Sequence, residues 1–159
     1  MRTLVIGLGN PILGDDGVGW IVASAINDQL PLTNPHSPIE VDCVALGGLS
    51  LMERMLGYER VVLVDSMETG QGPVGSVRVF PLASLPDPGL GHSASAHDTS
   101  LMTALRTAEQ IGAEVPSQVD VVAIEAQNVY DFSEELSPPV AAAVPVAVEH
   151  VLKLLEEPL

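Results

Sequence analysis

The chain has 159 residues, of which 47% are hydrophobic, and this size and composition are typical of one compact domain with a sizeable core. Its formal net charge of −15 disfavours nucleic acid as a partner, because an acidic surface repels a phosphate backbone. The single cysteine, Cys43, excludes an internal disulfide framework and a cysteine-rich metal site. No signal-peptide pattern opens the chain and no uninterrupted apolar run reaches membrane length, so we expect a cytoplasmic protein without a membrane partner.

The first predicted unit is a strand, a glycine loop and a helix. Residues 4–6 form a short, β-branched apolar run that is typical of a buried strand. The sequence GLGNP at residues 7–11 interrupts this run and indicates a turn. Asp15 and Asp16 then directly precede a helix. One face of that helix carries Val18, Ile21, Val22, Ala25 and Ile26.

The next predicted unit is a loop, a strand and a short helix. Residues 28–38 hold prolines and polar side chains and indicate a loop, and residues 39–44 are a strand candidate. Ser50 and Glu53 have the spacing of a capping box, and Gly57 is placed to end the helix. The predicted buried face of this helix consists of Leu49, Met52 and Leu56.

Two further strands follow without a helix between them. Residues 61–64 are a continuous apolar run, which is typical of a strand covered on both faces, and Asp65 ends the run. Residues 69–73 are turn material, and residues 74–80 alternate as a strand does. Because this connection is too short for a helical crossover, we expect the fourth strand to be antiparallel and at or near an edge of the sheet.

A long loop precedes the third helix. Residues 81–96 are rich in proline, glycine and serine, and loops of this length in compact domains are often functional. His97 and Asp98 close the loop, and Gly112 ends the helix that follows. The predicted buried face of that helix consists of Leu101, Ala104, Leu105, Ala108 and Ile111.

The last predicted unit is a strand, a polar loop and a helix. Residues 119–124 form the strand and residues 125–136 the loop. Ser137 and Pro138 suit the N-cap and the first position of the final helix, and Pro145 is expected to bend it. Its predicted buried stripe consists of Val140, Val144, Val148, Val151 and Leu155.

This alternation of strands and helices predicts an α/β fold, in which a mostly parallel sheet with one antiparallel strand lies between two helix layers in a three-layer αβα sandwich. Neither an internal repeat nor a linker is evident, so residues 1–159 are predicted to form one domain.

Three residues carry the predicted chemistry: Asp16, Asp65 and His97. If the first and third strands are parallel, the two aspartates share one edge of the sheet, and a loop crossing that edge would bring His97 to them. Two carboxylates and one imidazole suit a borderline divalent metal ion. Three protein ligands also leave coordination positions for a substrate.

Each of these residues also has a purely structural interpretation. Asp15 and Asp16 would cap the helix that follows them, where a carboxylate stabilises the positive end of the helix dipole. Asp65 would only hydrogen-bond its own turn. His97 would lie on the surface or cap a helix, and His92 competes with it as a ligand from the same loop. Spacing alone leaves these alternatives open.

Several stretches resemble the hydrogenase maturation proteases, which are endopeptidases that trim the large subunit of nickel–iron hydrogenases. The stretch GLGNPILGDDGVG at residues 7–19 is similar to the N-terminal signature of that family. The segment LGGLSLMERMLGYERVVLVDSM, the loop that contains His97, and the VAIEA and LSPPV stretches are similar to the family in the same order. The resemblance therefore covers nearly the whole chain.

This resemblance implies a five-stranded twisted sheet flanked by helices, and a metal site made of two acidic residues and a histidine. Carried onto this chain, those residues are Asp16, Asp65 and His97, with an aspartate at the first site where the family often has glutamate. The implied activity removes the C-terminal extension of a nickel-loaded large-subunit precursor. The implied cofactor is nickel that the substrate supplies, in a site that other divalent metals can also occupy.

The resemblance leaves two other functions to compare with a protease. A non-catalytic, nickel-sensing maturation chaperone would use the same three ligands. Peptidyl-tRNA hydrolases also begin with GLGNP, but the acidic balance of this chain disfavours a tRNA substrate. For a protease, we expect the loop at residues 125–136, with Tyr130 and Phe132, to form part of the substrate-docking surface.

Overall fold

The computed structural model describes residues 1–33, 38–85 and 96–159, and for residues 31–33 and 96–100 it describes the backbone alone. Its strands are β1 (Thr3–Leu8), β2 (Ile39–Val44), β3 (Arg60–Met67), β4 (Val77–Pro81) and β5 (Gln118–Glu125). Its α-helices are α1 (Val18–Thr33), α2 (Gly48–Met55), α3 (Ala96–Gln110) and α4 (Pro138–Glu156). Short 3₁₀ helices occur at Gly14–Gly17 and Leu82–Ser84.

The five strands form one sheet in the order β2-β1-β3-β5-β4. The pairs β1–β2, β1–β3 and β3–β5 are parallel, whereas β4 pairs antiparallel with β5 at the edge of the sheet. The predicted α/β class and the antiparallel edge strand are therefore confirmed. Because three neighbouring strands run in the same direction, the loops after β1, β3 and β5 meet at one edge, called here the carboxyl edge.

Two apolar clusters cover the two faces of this sheet. Leu4, Ile6, Val61 and Leu63 pack with α2 and α3, whose buried side chains include Leu51 and Leu101. Val5, Val62, Val64 and Val122 pack with α1 and α4, whose buried side chains include Val22 and Val151. Successive side chains of a strand point to opposite faces, so the uninterrupted apolar run of β3 supplies both clusters. The three-layer arrangement is confirmed.

Two element bounds change the predicted positions of site residues. β3 continues to Met67, so Asp65 lies inside the strand instead of ending it. Helix α3 begins at Ala96, so His97 lies in the first helical turn instead of preceding the helix. Residues 28–33 belong to α1, so the predicted loop from residue 28 was wrong there. His92, the competing ligand, lies outside the described residues.

Predictions for α2 and for the end of α3 were wrong in two respects. Ser50 lies inside α2 and the N-cap is Gly47, which makes no side-chain capping hydrogen bond, so no capping box forms. Leu49 and Ile111 were expected in the core and are exposed, because the helix faces that pack on the sheet carry Leu51, Met52 and Met55 in α2 and Leu101, Met102 and Ala108 in α3.

Helix α4 begins as predicted, with Ser137 as the N-cap and Pro138 in the first turn. In the described part of the chain it is the one helix long and apolar enough to cross a membrane by length and composition, although Glu149, His150 and Lys153 interrupt its apolar residues. The same test is passed by core helices of globular proteins, and Val140, Val148 and Val151 of α4 are buried in the cluster that covers the sheet.

Candidate functional site

The turn between β1 and α1 brings Asp16 to the carboxyl edge. Gly9 has φ +128°, and a Cβ atom there would lie 1.9 Å from the backbone oxygen of Asp16. A Cβ atom on Gly19 would lie 2.4 Å from the backbone oxygen of Val64 in β3. Glycine at these positions therefore allows the 3₁₀ helix and the start of α1 to lie directly against the strand ends.

Asp16 is half-buried, and both of its carboxylate oxygens are oriented by hydrogen bonds. The backbone amide of Asn10 donates to Oδ2 at 2.8 Å, and the hydroxyl of Ser66 donates to Oδ1 at 3.2 Å. A carboxylate oxygen has two lone pairs, so each oxygen can accept one hydrogen bond and still bind a cation. The Asp16 carboxylate can therefore act as a metal ligand.

Asp65 lies beside this group on the central strand β3. Its side chain is buried, and its Oδ1 accepts a hydrogen bond from the backbone amide of Ser66 at 2.8 Å. By strand alternation Asp65 faces the layer of α2 and α3, whereas the hydroxyl of Ser66 reaches Asp16 on the other side. The structure thus joins Asp16 and Asp65 into one hydrogen-bonded group through Ser66.

His97 is placed by its backbone only. It lies in the first turn of α3, in the helix layer that Asp65 faces, and its imidazole is outside the described side chains. Among the side chains that are described, no three histidine, cysteine, aspartate or glutamate residues group closely enough to hold a metal ion. The three-residue ligand set therefore stays a prediction, with its two carboxylates located.

Asp15 makes different contacts from Asp16. It is fully buried and accepts hydrogen bonds from the amides of Gln127 (3.2 Å), Asn128 (3.1 Å) and Ser137 (2.7 Å) and from the Ser137 hydroxyl (2.8 Å). The structural interpretation expected Asp15 to cap the following helix, but all of these donors lie outside that helix, so this expectation was wrong. Asp15 instead ties the turn to the connection between β5 and α4.

Neither Ser66 nor Glu125 was predicted from the sequence to contribute to the carboxyl edge. Glu125 ends β5 and is buried, and it accepts hydrogen bonds from Thr69 and from the amide of Gly70, with Arg78 3.7 Å away. These hydrogen bonds and the nearby Arg78 compensate the negative charge of Glu125. Glu125 therefore stabilises the turn after β3 and is not free to bind a metal ion. Ser66 could have been found from its position, because Asp65 and Ser66 directly follow the apolar run at residues 61–64. Neighbouring side chains of a strand point to opposite faces, so Ser66 can reach the turn after β1.

Cys43 lies half-buried on the edge strand β2, and its Sγ donates to the backbone oxygen of Trp20 at 3.7 Å. Burial raises the pKa of this thiol. A thiol attacks as the thiolate, so a raised pKa disfavours Cys43 as a nucleophile.

The sequence of this chain is similar to those of known hydrogenase maturation proteases. A family model described as hydrogenase maturation protease matches residues 39–154. The hydrogenase 2 maturation protease of Escherichia coli is 24% identical over 157 residues, which cover 99% of this chain and 92% of that protein.

Solved structures share the fold. The hydrogenase-maturating endopeptidase HybD of E. coli superposes with a TM-score of 0.78 at 22% identity, covering 98% of this chain and 92% of that one. A hydrogenase 2 maturation peptidase from a Thaumarchaeota archaeon has a TM-score of 0.66 at 30% identity, covering 98% of this chain and 99% of that one.

Proposed function

Because the chain belongs to the hydrogenase maturation protease family, we propose that it removes the C-terminal extension from a nickel-loaded large-subunit precursor of a nickel–iron hydrogenase. In this proposal Asp16, Asp65 and His97 bind the nickel ion that the precursor carries. The nickel is therefore part of the substrate, and the protein recognises it.

The arrangement of Asp16, Ser66 and Asp65 is the observation that supports this proposal most directly. Two carboxylates, one from the 3₁₀ helix after β1 and one from strand β3, belong to one hydrogen-bonded group, and Asp16 is half-exposed at the edge where ligands of α/β proteins bind. Hydrogen bonds that orient a carboxylate are typical around metal ligands, because they fix the ligand before the ion arrives.

The chain's own residues would hold the loaded precursor so that the peptide to be cut lies beside the ion. A divalent ion held in this way polarises a carbonyl group or lowers the pKa of a water molecule. Asp16 and Asp65 supply negative charge on either side of β3, and His97 is proposed to supply the nitrogen ligand from the start of α3. Such hydrolysis needs no serine or cysteine nucleophile, in agreement with the raised pKa of Cys43.

The test is to mix the protein with the nickel-loaded and the nickel-free precursor from its own organism. We expect a mass loss at the C-terminus of the loaded precursor only, measured by mass spectrometry. Cleavage of both forms would contradict recognition through nickel. Binding of the loaded precursor without any cleavage would replace the protease by a nickel-sensing chaperone.

A further inference from the structure

The connection from residue 126 to residue 137, called here the aromatic loop, exposes an unusual amount of aromatic surface. The whole chain has one tryptophan, two tyrosines and two phenylalanines, and two of these five residues lie in this loop. Tyr130 is 80% exposed and Phe132 is 85% exposed. Ile12, whose backbone oxygen accepts a hydrogen bond from the amide of Ser133, adds a third exposed apolar side chain. Grouped exposed aromatic residues mark protein interaction surfaces.

The same loop carries three exposed carboxylates, Asp131, Glu134 and Glu135. None of the ion pairs found in the described part of the chain includes them. They lie beside the aromatic residues in the sequence and supply negative charge that a partner can neutralise. Charge complementarity therefore favours a partner segment that combines basic and apolar side chains.

The aromatic loop is held firmly against the turn that contains Asp16. Asp15 binds both ends of the loop, through Gln127 and Asn128 at the start and Ser137 at the finish. In the middle, the amide of Gly14 donates to the oxygen of Ser133 at 2.7 Å. A surface fixed in this way loses little conformational entropy when a partner binds.

From these observations we propose that the aromatic loop docks a basic, apolar segment of the protein substrate and thereby places the peptide to be cut beside Asp16. The inference rests on the proposed function and adds the surface that positions the precursor. Ile12, Gly14 and Asp15 bond the loop to the turn that carries Asp16, so a partner bound on the loop lies close to that turn.

The first test replaces the aromatic side chains in the double variant Y130A/F132A and measures both binding and cleavage of the nickel-loaded precursor. We expect at least about tenfold weaker binding and a KM raised by a similar factor, with kcat within about twofold of the wild type. The matched control is Ile111→Ala, which removes an 80% exposed apolar side chain beyond the end of α3. Equal binding by Y130A/F132A and the wild type would overturn the proposal.

The second test neutralises the loop in the triple variant D131N/E134Q/E135Q. We expect weaker precursor binding and a smaller dependence of that binding on salt concentration, because fewer charges attract the basic segment. The control is E149Q/E156Q/E157Q, which removes three exposed carboxylates from α4 and the residue after it. A control that lowered binding as much as the loop variant would contradict a local docking surface.

Binding and cleavage together separate this inference from the proposed function. A wild type that binds the precursor through the aromatic loop but never cuts it would contradict the protease and support the docking surface. If the wild type cuts the precursor and Y130A/F132A cuts it equally well at every substrate concentration, the result would support the protease and contradict the docking surface. If the loop substitutions instead convert a dimer into a monomer in sedimentation experiments, the surface joins two copies of the chain and the proposal is wrong.

Discussion

The hydroxyl of Ser66 donates a hydrogen bond to Asp16 across 50 positions of sequence, from the central strand β3 to the turn after β1. The backbone amide of the same serine donates to Asp65. One residue therefore orients both carboxylates that we propose as nickel ligands. Its hydroxyl is not expected to touch the ion, and it acts by holding Asp16 in place.

Replacing Ser66 by alanine tests this positioning. The change removes one hydrogen bond to Asp16 and leaves the amide that binds Asp65, so we expect divalent-ion affinity and kcat/KM to fall by about 10- to 100-fold. Ion titration and precursor cleavage measure the two effects. The control is Ser76→Ala, because the Ser76 hydroxyl donates to the Pro73 oxygen on the surface. Unchanged ion affinity in Ser66→Ala would show that Asp16 needs no such support.

Asp16→Asn tests the ligand itself. The amide keeps the size of the side chain but removes its negative charge, so we expect processing of the nickel-loaded precursor to fall by at least about 100-fold without loss of the fold. Circular dichroism checks the fold and mass spectrometry measures processing. Asp28→Asn, an exposed position of α1, is the matched control. Retained processing by Asp16→Asn would count decisively against the proposed role.

Much of the fold could be predicted from the sequence because apolar periodicity and turn residues act locally. The continuous apolar run at residues 61–64 identified a strand buried on both faces, and Ser137 with Pro138 located the start of α4. The strand ends were predicted less accurately, because Asp65 continues β3 by pairing with β5, and no local pattern shows this pairing.

The site could be predicted only in part for the same reason. The position of Asp16 after β1 follows from the glycine loop, and its proximity to β3 follows from parallel pairing. The roles of Asp15 and Ser66 depend on partners 122 and 50 positions away, and such contacts exist only once the chain is packed. The same capping interpretation was therefore open to both adjacent aspartates in the sequence, although one faces the edge and the other is buried.

The surface network around Glu40 predicts a small pH dependence of stability. The Tyr58 hydroxyl, followed by Arg54, holds the pKa of Glu40 below its ordinary value of 4.5. Its contribution is therefore complete above pH 4.5 and is lost as pH falls through the lower pKa of the folded state. We expect Glu40→Gln to lower the free energy of unfolding by less than about 1 kcal/mol at neutral pH, and the difference to shrink in acid. Urea unfolding at several pH values, with the exposed Glu53→Gln as control, measures it; a difference that grows in acid would contradict this sign.

Asp15 should matter for stability far more than the aspartate beside it. Asp15→Ala removes a fully buried carboxylate and leaves the part-buried amides of Gln127, Asn128 and Ser137 without this acceptor, and an unsatisfied buried group costs about 1–3 kcal/mol. We therefore expect the free energy of unfolding to fall by about 3 kcal/mol or more, measured by urea denaturation. The matched control is Asp16→Asn, whose half-exposed side chain should change it by less than about 1 kcal/mol. Equal stability of the two variants would mean that water replaces the Asp15 carboxylate, and that the aromatic loop is not held to the turn in the way its hydrogen bonds indicate.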